Sequence, residues 1–237
     1  MTDRGPDNSH DTLAQVAPLL RSAFTTYTSH FSIFMGISLT RLAPFYVLLT
    51  LVPVPDPIMR SIVETVIMVP ATAALIRYAW TIISAVDVTA SDALLGAAPA
   101  ATLKLLGTEV IIFSGVMILS FGGPEIFFSL IFLWGWVTLM AAQTVVIEGT
   151  MFTDAIQRSL TLVRHAWRLS LAIMLVLAVP EITELVAFSA LGRTLAFDIT
   201  TRVLTLLILP FSAISLTILF DYLASIDLME KATGRNG

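Results

Sequence analysis

Residues 145–177 read VVIEGTMFTDAIQRSLTLVRHAWRLSLAIMLVL. An apolar run stops at Glu148, a polar-faced segment follows, and a second apolar run begins after Arg168. Thr153–Arg168 sets Ile156, Leu160, Val163 and Trp167 in one stripe at three- and four-residue steps, with Gln157, Thr161, Arg164 and Arg168 on another face. That segment is too short and too polar to cross a bilayer. An amphipathic helix between two greasy ones implies a chain that leaves the hydrocarbon, lies in the interface with its apolar face in lipid or against the bundle, and re-enters.

Working outward, the whole chain fits a lipid setting. Its 237 residues are 57% hydrophobic and 13% charged, whereas soluble chains carry about 25% charged residues. A soluble domain of this size could not hide so much apolar surface. The net charge of −4 offers no basic field for nucleic acid. The absence of cysteine excludes disulfides, thiolate metal sites and cysteine nucleophiles.

A crossing helix needs about 20 mostly apolar residues. Six segments qualify, at about 31–52, 58–85, 103–121, 125–147, 169–191 and 199–223. Two further polar-faced helices, Leu13–His30 and Ser91–Thr102, resemble Thr153–Arg168 in preceding a pair of apolar segments. The three open with HDTLAQV, ASDALLG and FTDAIQR, each placing Asp where a helix N-terminus favours negative charge. Three copies of an interfacial helix plus a hairpin would give this pattern, as would interfacial architecture without duplication.

The expected fold is therefore all-α: a polytopic membrane helix bundle of six transmembrane helices with three cytoplasmic-side interfacial amphipathic helices. Residues 1–12 and 229–237 are expected to be flexible tails around a single membrane domain, 13–228. Orientation follows Lys and Arg in short loops. Arg4, Arg21, Lys104, Arg158, Arg164, Arg168, Lys231 and Arg235 fall on the side of the polar-faced helices, with Arg77 near it, and Arg60, Arg193 and Arg202 on the other. Both termini are thus expected in the cytoplasm, in a cell (inner) membrane.

Glu148, Gly149, Ala155, Arg158, Ser159 and Leu162 follow an acidic–Gly, gap, Ala-x-x-Arg-Ser-x-x-Leu pattern. It resembles the membrane domain found beside some bacterial glycerophosphodiester phosphodiesterases and its stand-alone relatives. LPFSAISLTILFDYLASIDL, residues 209–228, is similar to that family's final helix, with Asp221 and Tyr222 in reversed order, and LLRSAFTTYTSHF looks like its start. The resemblance implies a bacterial six-helix membrane domain and carries over no catalytic residue. Arg41 departs from it, standing where aliphatic residues are expected.

A charge at bilayer depth costs about 2.5–3.5 kcal/mol on insertion scales, which singles out Arg41, Glu64, Arg77 and Glu109. Arg41, Glu64 and Glu109 form a polar path, or a buried ion pair locking helices, or Arg41 lies near the headgroups of an interfacial first segment. Glu181 and Glu184, three apart in VPEITELVAF, are an outer-half acidic pair that could hold a cation or proton, or an outer-interface charge cluster. Arg158, Arg164, His165 and Arg168 are headgroup-binding candidates, or a topology signal. The three histidines lack ligand spacing, so no metal is expected, and no cofactor or catalytic motif is present. The expected role is a non-enzymatic scaffold or accessory subunit contacting membrane lipids, a protein partner or a second copy. The alternative is a small transporter or lipid-handling permease.

Overall fold

The computed structural model describes residues 14–51, 57–86, 99–119, 124–191 and 195–232. Among these the chain is helical: α1 (Val16–Ser29), α2 (Phe31–Leu51), α3 (Pro57–Ile83), α4 (Pro99–Leu119), α5 (Pro124–Thr138), α6 (Ala141–Gln143), α7 (Phe152–His165), α8 (Trp167–Leu191) and α9 (Leu195–Ala232). Three of them begin on proline, which costs a first-turn position nothing because its N–H would have no helical partner there.

Four helices are long and apolar enough to cross a membrane, namely Ile62–Ile83, Ala100–Leu119, Leu130–Glu148 and Ile199–Ala232. A fifth crossing arises if α7 and Trp167–Pro180, bent by 108°, count as one broken span. The apolar stretch of α2, Phe31–Val47, is shorter. The chain thus has several membrane-length helices, where the sequence led us to expect six. Side-chain chemistry suits hydrocarbon: Thr40, Ser114, Thr205, Ser215 and Thr217 each donate their hydroxyl to the carbonyl four residues back. None of these hydroxyls is then left without a partner in a setting that has no water.

α9 and α3 form the spine. Phe34, Ala74, Leu75, Tyr78 and Ile214 share one buried cluster, and Met140, Leu162, Leu169, Phe220 and Leu223 another. α3 turns Val63, Ile67 and Ala71 towards α2, and Val69 and Ala73 towards Leu105 of α4.

Local boundaries depart from the sequence reading in three places. The 125–147 segment is not one regular helix: α5 ends at Thr138, and α6 runs into a π-helical turn, Thr144–Glu148, closed by Gly149 at φ +74°. The 153–168 helix stops at His165 because Ala166 leaves helical geometry (φ −134°, ψ 61°), so Trp167 and Arg168 open α8. The last helix does not stop at residue 223 but runs to Ala232, taking in part of the expected tail. α1 runs from Val16 to Ser29, inside the expected Leu13–His30, and turns its apolar face to the bundle, one of the two surroundings its stripe allows. Val16 and Leu19 pack with Leu219 and Leu223, Ala23 with Ile214, and the Tyr27 hydroxyl donates to the Leu207 carbonyl at 3.1 Å. It therefore runs lengthwise along α9, because its apolar stripe finds a better partner there than at a flat interface. Of the expected Ser91–Thr102 helix, residues 99–102 form the first turn of α4 and the rest lies outside the described residues, as do 1–13 and 233–237.

Candidate functional site: the polar end of the bundle

α7 lies across one end of the bundle, and its inward face is set residue by residue. Ala155 and Leu162 are fully buried; Ala155 packs with Val145 of the π turn, and Leu162 joins the Met140–Phe220 cluster. Ser159 supports the break between α5 and α6. Its hydroxyl donates to the Val137 carbonyl at 2.6 Å and accepts from the Met140 N–H at 3.0 Å. Two main-chain groups stranded by the break are thereby satisfied, a requirement for irregular backbone at membrane depth. Thr108 accepts from the Phe152 N–H at 3.0 Å, and Lys104 donates to the Gly149 carbonyl at 3.0 Å, tying α4 to the turn before α7. The far end of α7 is fastened by Trp136, whose indole N–H donates to Ser170 at 3.0 Å. Ser170 in turn reaches the terminal carbonyl of Val163 at 3.2 Å.

Charge gathers where the π turn, α7 and α9 meet. Arg158 lies against both Glu148 carboxylate oxygens through Nε, each at 3.1 Å, and donates from Nη1 to Asp227 at 2.7 Å. Lys231 donates to the same Asp227 oxygen at 2.7 Å. His165 stands between two acids, with Nδ1 2.8 Å from Glu230 and Nε2 3.2 Å from Asp227, the latter without hydrogen-bond alignment. The cluster comprises Arg158, Lys231, Glu148, Asp227, Glu230 and His165, and so sets two basic side chains and an imidazole against three carboxylates.

Asp227 is only 2% exposed. It lies among the polar residues that end α9, with Asp221, Ser225, Glu230 and Lys231, beyond the apolar stretch of about 20 residues that a crossing requires. Burial acts to raise its carboxyl, but hydrogen bonds from Lys231 and Arg158 and the pull of both charges outweigh it, holding the group below its ordinary value. Burial likewise works against the Arg158 charge, yet the Glu148 and Asp227 bonds prevail and keep the guanidinium above its ordinary value.

The outward face of α7 and the start of α8 are different. Asp154, Gln157, Thr161, Arg164 and Arg168 are exposed. Trp167 is 51% exposed, with the Arg168 guanidinium 5.2 Å from its ring centre. Of the four headgroup candidates, Arg158 and His165 are therefore brought together through Asp227 inside the protein, while Arg164 and Arg168 face out.

The intramembrane candidates are dispersed. Arg41 and Glu64 are half-buried on the packed pair α2 and α3, both engaged in polar contacts. Glu109 is half-buried on α4, which packs against the opposite flank of α3. Arg77 is exposed. Glu181 and Glu184 belong to α8, and their side chains lie outside the described set.

Asp227, Glu230 and Lys231 were missed by the sequence reading, which ended the last helix too early. The signal was present: SIDLMEKA has no Gly or Pro to stop a helix, and Asp227 and Lys231 are four apart. No protein family, no curated protein and no solved structure matches this chain.

Proposed function

We propose that this chain is a non-enzymatic, multi-pass protein of the cell membrane, a scaffold or accessory subunit whose α7 end contacts anionic lipid headgroups. In this reading there are six crossings, with α2 and α8 added to the four clear ones, and the α7 end and both termini face the cytoplasm. The observation that carries it is the division of labour on α7. Arg158 and His165 are spent on internal carboxylates, whereas Arg164, Trp167 and Arg168 are presented outward at a 108° elbow between a polar-faced and an apolar helix. Tryptophan beside arginine at such an elbow is the residue pair that anchors a helix at headgroup depth.

The likeness to the membrane domain beside glycerophosphodiester phosphodiesterases stays within the proposal. Its six pattern residues all have architectural tasks here, in pairing, turning or packing, and none is arranged for hydrolysis.

The natural lack of cysteine makes the test direct. Single cysteines at positions 157, 161 and 164 should react with a membrane-impermeant reagent only when the cytoplasmic face is open. Arg164→Ala with Arg168→Ala should lower the preference of the purified chain for phosphatidylglycerol over phosphatidylcholine. An unchanged preference would remove headgroup contact from the proposal.

A further inference from the structure

We infer that the cleft between α1, α8 and α9 holds one acyl chain of an anionic phospholipid; this deepens the headgroup reading above and rests on it. The cleft has a volume of about 310 Å³ and is walled by Phe24 and Tyr27 of α1, Val176 and Pro180 of α8, and Leu207 and Phe211 of α9. Its lining is almost wholly apolar: the only hydroxyls on it are those of Ser212 and Tyr27, and Tyr27 already donates to the Leu207 carbonyl. The cleft lies at mid-length on α9, whose apolar part runs from Ile199. The medium that meets it there is lipid.

Charge selects which lipid. Arg168, Ala172, Val176 and Pro180 follow one another at four-residue steps, a line of neighbours that winds about a third of a turn around α8 from the cation to the cleft. On the facing wall Arg21 precedes Phe24 by three residues on the same flank of α1, and both are exposed. Leu19 packs against the buried cluster that includes Leu169 and Ile173, which sets this stretch of α1 level with the first turns of α8. Neither Arg21 nor Arg168 meets a carboxylate among the described residues. Arg168 to Pro180 is 12 residues, or about 18 Å of helix. One leaflet of hydrocarbon is about 15 Å, half the usual core. A phosphate at the arginines therefore places its tail in the cleft. Arg21 lies deeper than Arg168 and reaches the phosphate by snorkelling along its own aliphatic stem.

The test is native mass spectrometry of the full chain in mild detergent, offered phosphatidylglycerol or phosphatidylcholine. The wild-type chain should retain one phosphatidylglycerol in preference to phosphatidylcholine. Arg21→Gln and Arg168→Gln should each weaken retention about fivefold, the effect of one basic residue near an anionic surface. Val176→Trp and, on another wall, Ser212→Phe should fill the cleft and abolish retention of either lipid, with thermal unfolding confirming that at least one of them is folded. If a folded cleft-filling variant keeps phosphatidylglycerol while the arginine variants lose it, the cleft assignment is overturned and headgroup contact survives. If the wild-type chain does not distinguish the two lipids, both fall together.

Discussion

Replacing Asp227 with asparagine removes the charge at the centre of the polar end while preserving volume and one acceptor oxygen. No cavity forms, so the loss is electrostatic. Asp227 is 2% exposed and accepts at 2.7 Å from both Arg158 and Lys231. A hydrogen bond to a charged group contributes about 1.5–3 kcal/mol. Lys231 is 52% exposed and rehydrates when released, so its share is the surface value of about 0–1 kcal/mol. Arg158 is 21% exposed and keeps Glu148, so it loses one of two carboxylates rather than all its neutralisation. The expected loss is about 2–3 kcal/mol, below the 3–5 kcal/mol or so of a buried pair broken outright. Thermal unfolding in detergent, followed by tryptophan fluorescence, should show Tm falling by about 5–10 °C at the usual 2–4 °C per kcal/mol for this chain length. In an Arg158→Gln background the same change should cost less than about 1 kcal/mol, because contacting residues are not additive. A drop under about 0.5 kcal/mol, or an equal cost in both backgrounds, would refute the claim that this carboxylate pins the end of α9 to α7.

Acid should report the same group. The Asp227 carboxyl is held low in the folded state, so its contribution is complete above the unfolded value of about 3.9 and fades as pH falls through the lowered folded value. Below pH 4, wild-type thermal stability should therefore fall towards that of Asp227→Asn, narrowing the gap seen at neutral pH. Ser159→Ala should cost about 2–3 kcal/mol in the same melt, since a buried Met140 N–H is left without an acceptor. Gly149→Ala should cost about 1–2 kcal/mol through its φ of +74° alone, since its side has open space. Gly135→Ala, in helix α5 and with nothing within 4 Å of an added methyl, should leave Tm unchanged or raise it.

Much of the fold was legible because lipid imposes length. Most runs of about 20 apolar residues became helices, and the last proline of VPVPDP and of GGP opens one. The breaks were not legible. Thr138–Met140 carries no Pro or Gly, and the helix yields there only because Ser159, some twenty residues later, supplies both missing bonds. The elbow at Ala166 is equally silent, as it depends on Ser170 and Trp136 meeting in space. α1 was legible only in part, because a stripe at helical spacing fits lipid and a neighbouring helix equally well, and only the fold sets it against α9. The candidate site was half legible: Arg158 stood out as a cation, but its acids come from 10 residues before and 69 after, and only the fold joins them.

That separation gives the basic residues of 158–168 two distinct jobs within α7 and the first turn of α8. A cation facing inward must be neutralised by the protein, and Glu148 with Asp227 does this for Arg158. A cation facing outward at an interface needs no such partner, because headgroups supply one. The sequence cannot tell these apart by residue type, since Arg158 and Arg164 are both arginines on a helix of 14 residues. It is their angular difference around the axis, six residues or about 240° at 3.6 residues per turn, that sends one to the bundle and the other to the surface. The inward set ties α7 to the bundle beside the elbow, and in the proposed headgroup reading this is what keeps Arg164, Trp167 and Arg168 at one depth. Loosening Asp227 should therefore weaken anionic-lipid preference as well as stability, although Asp227 touches no lipid in this arrangement.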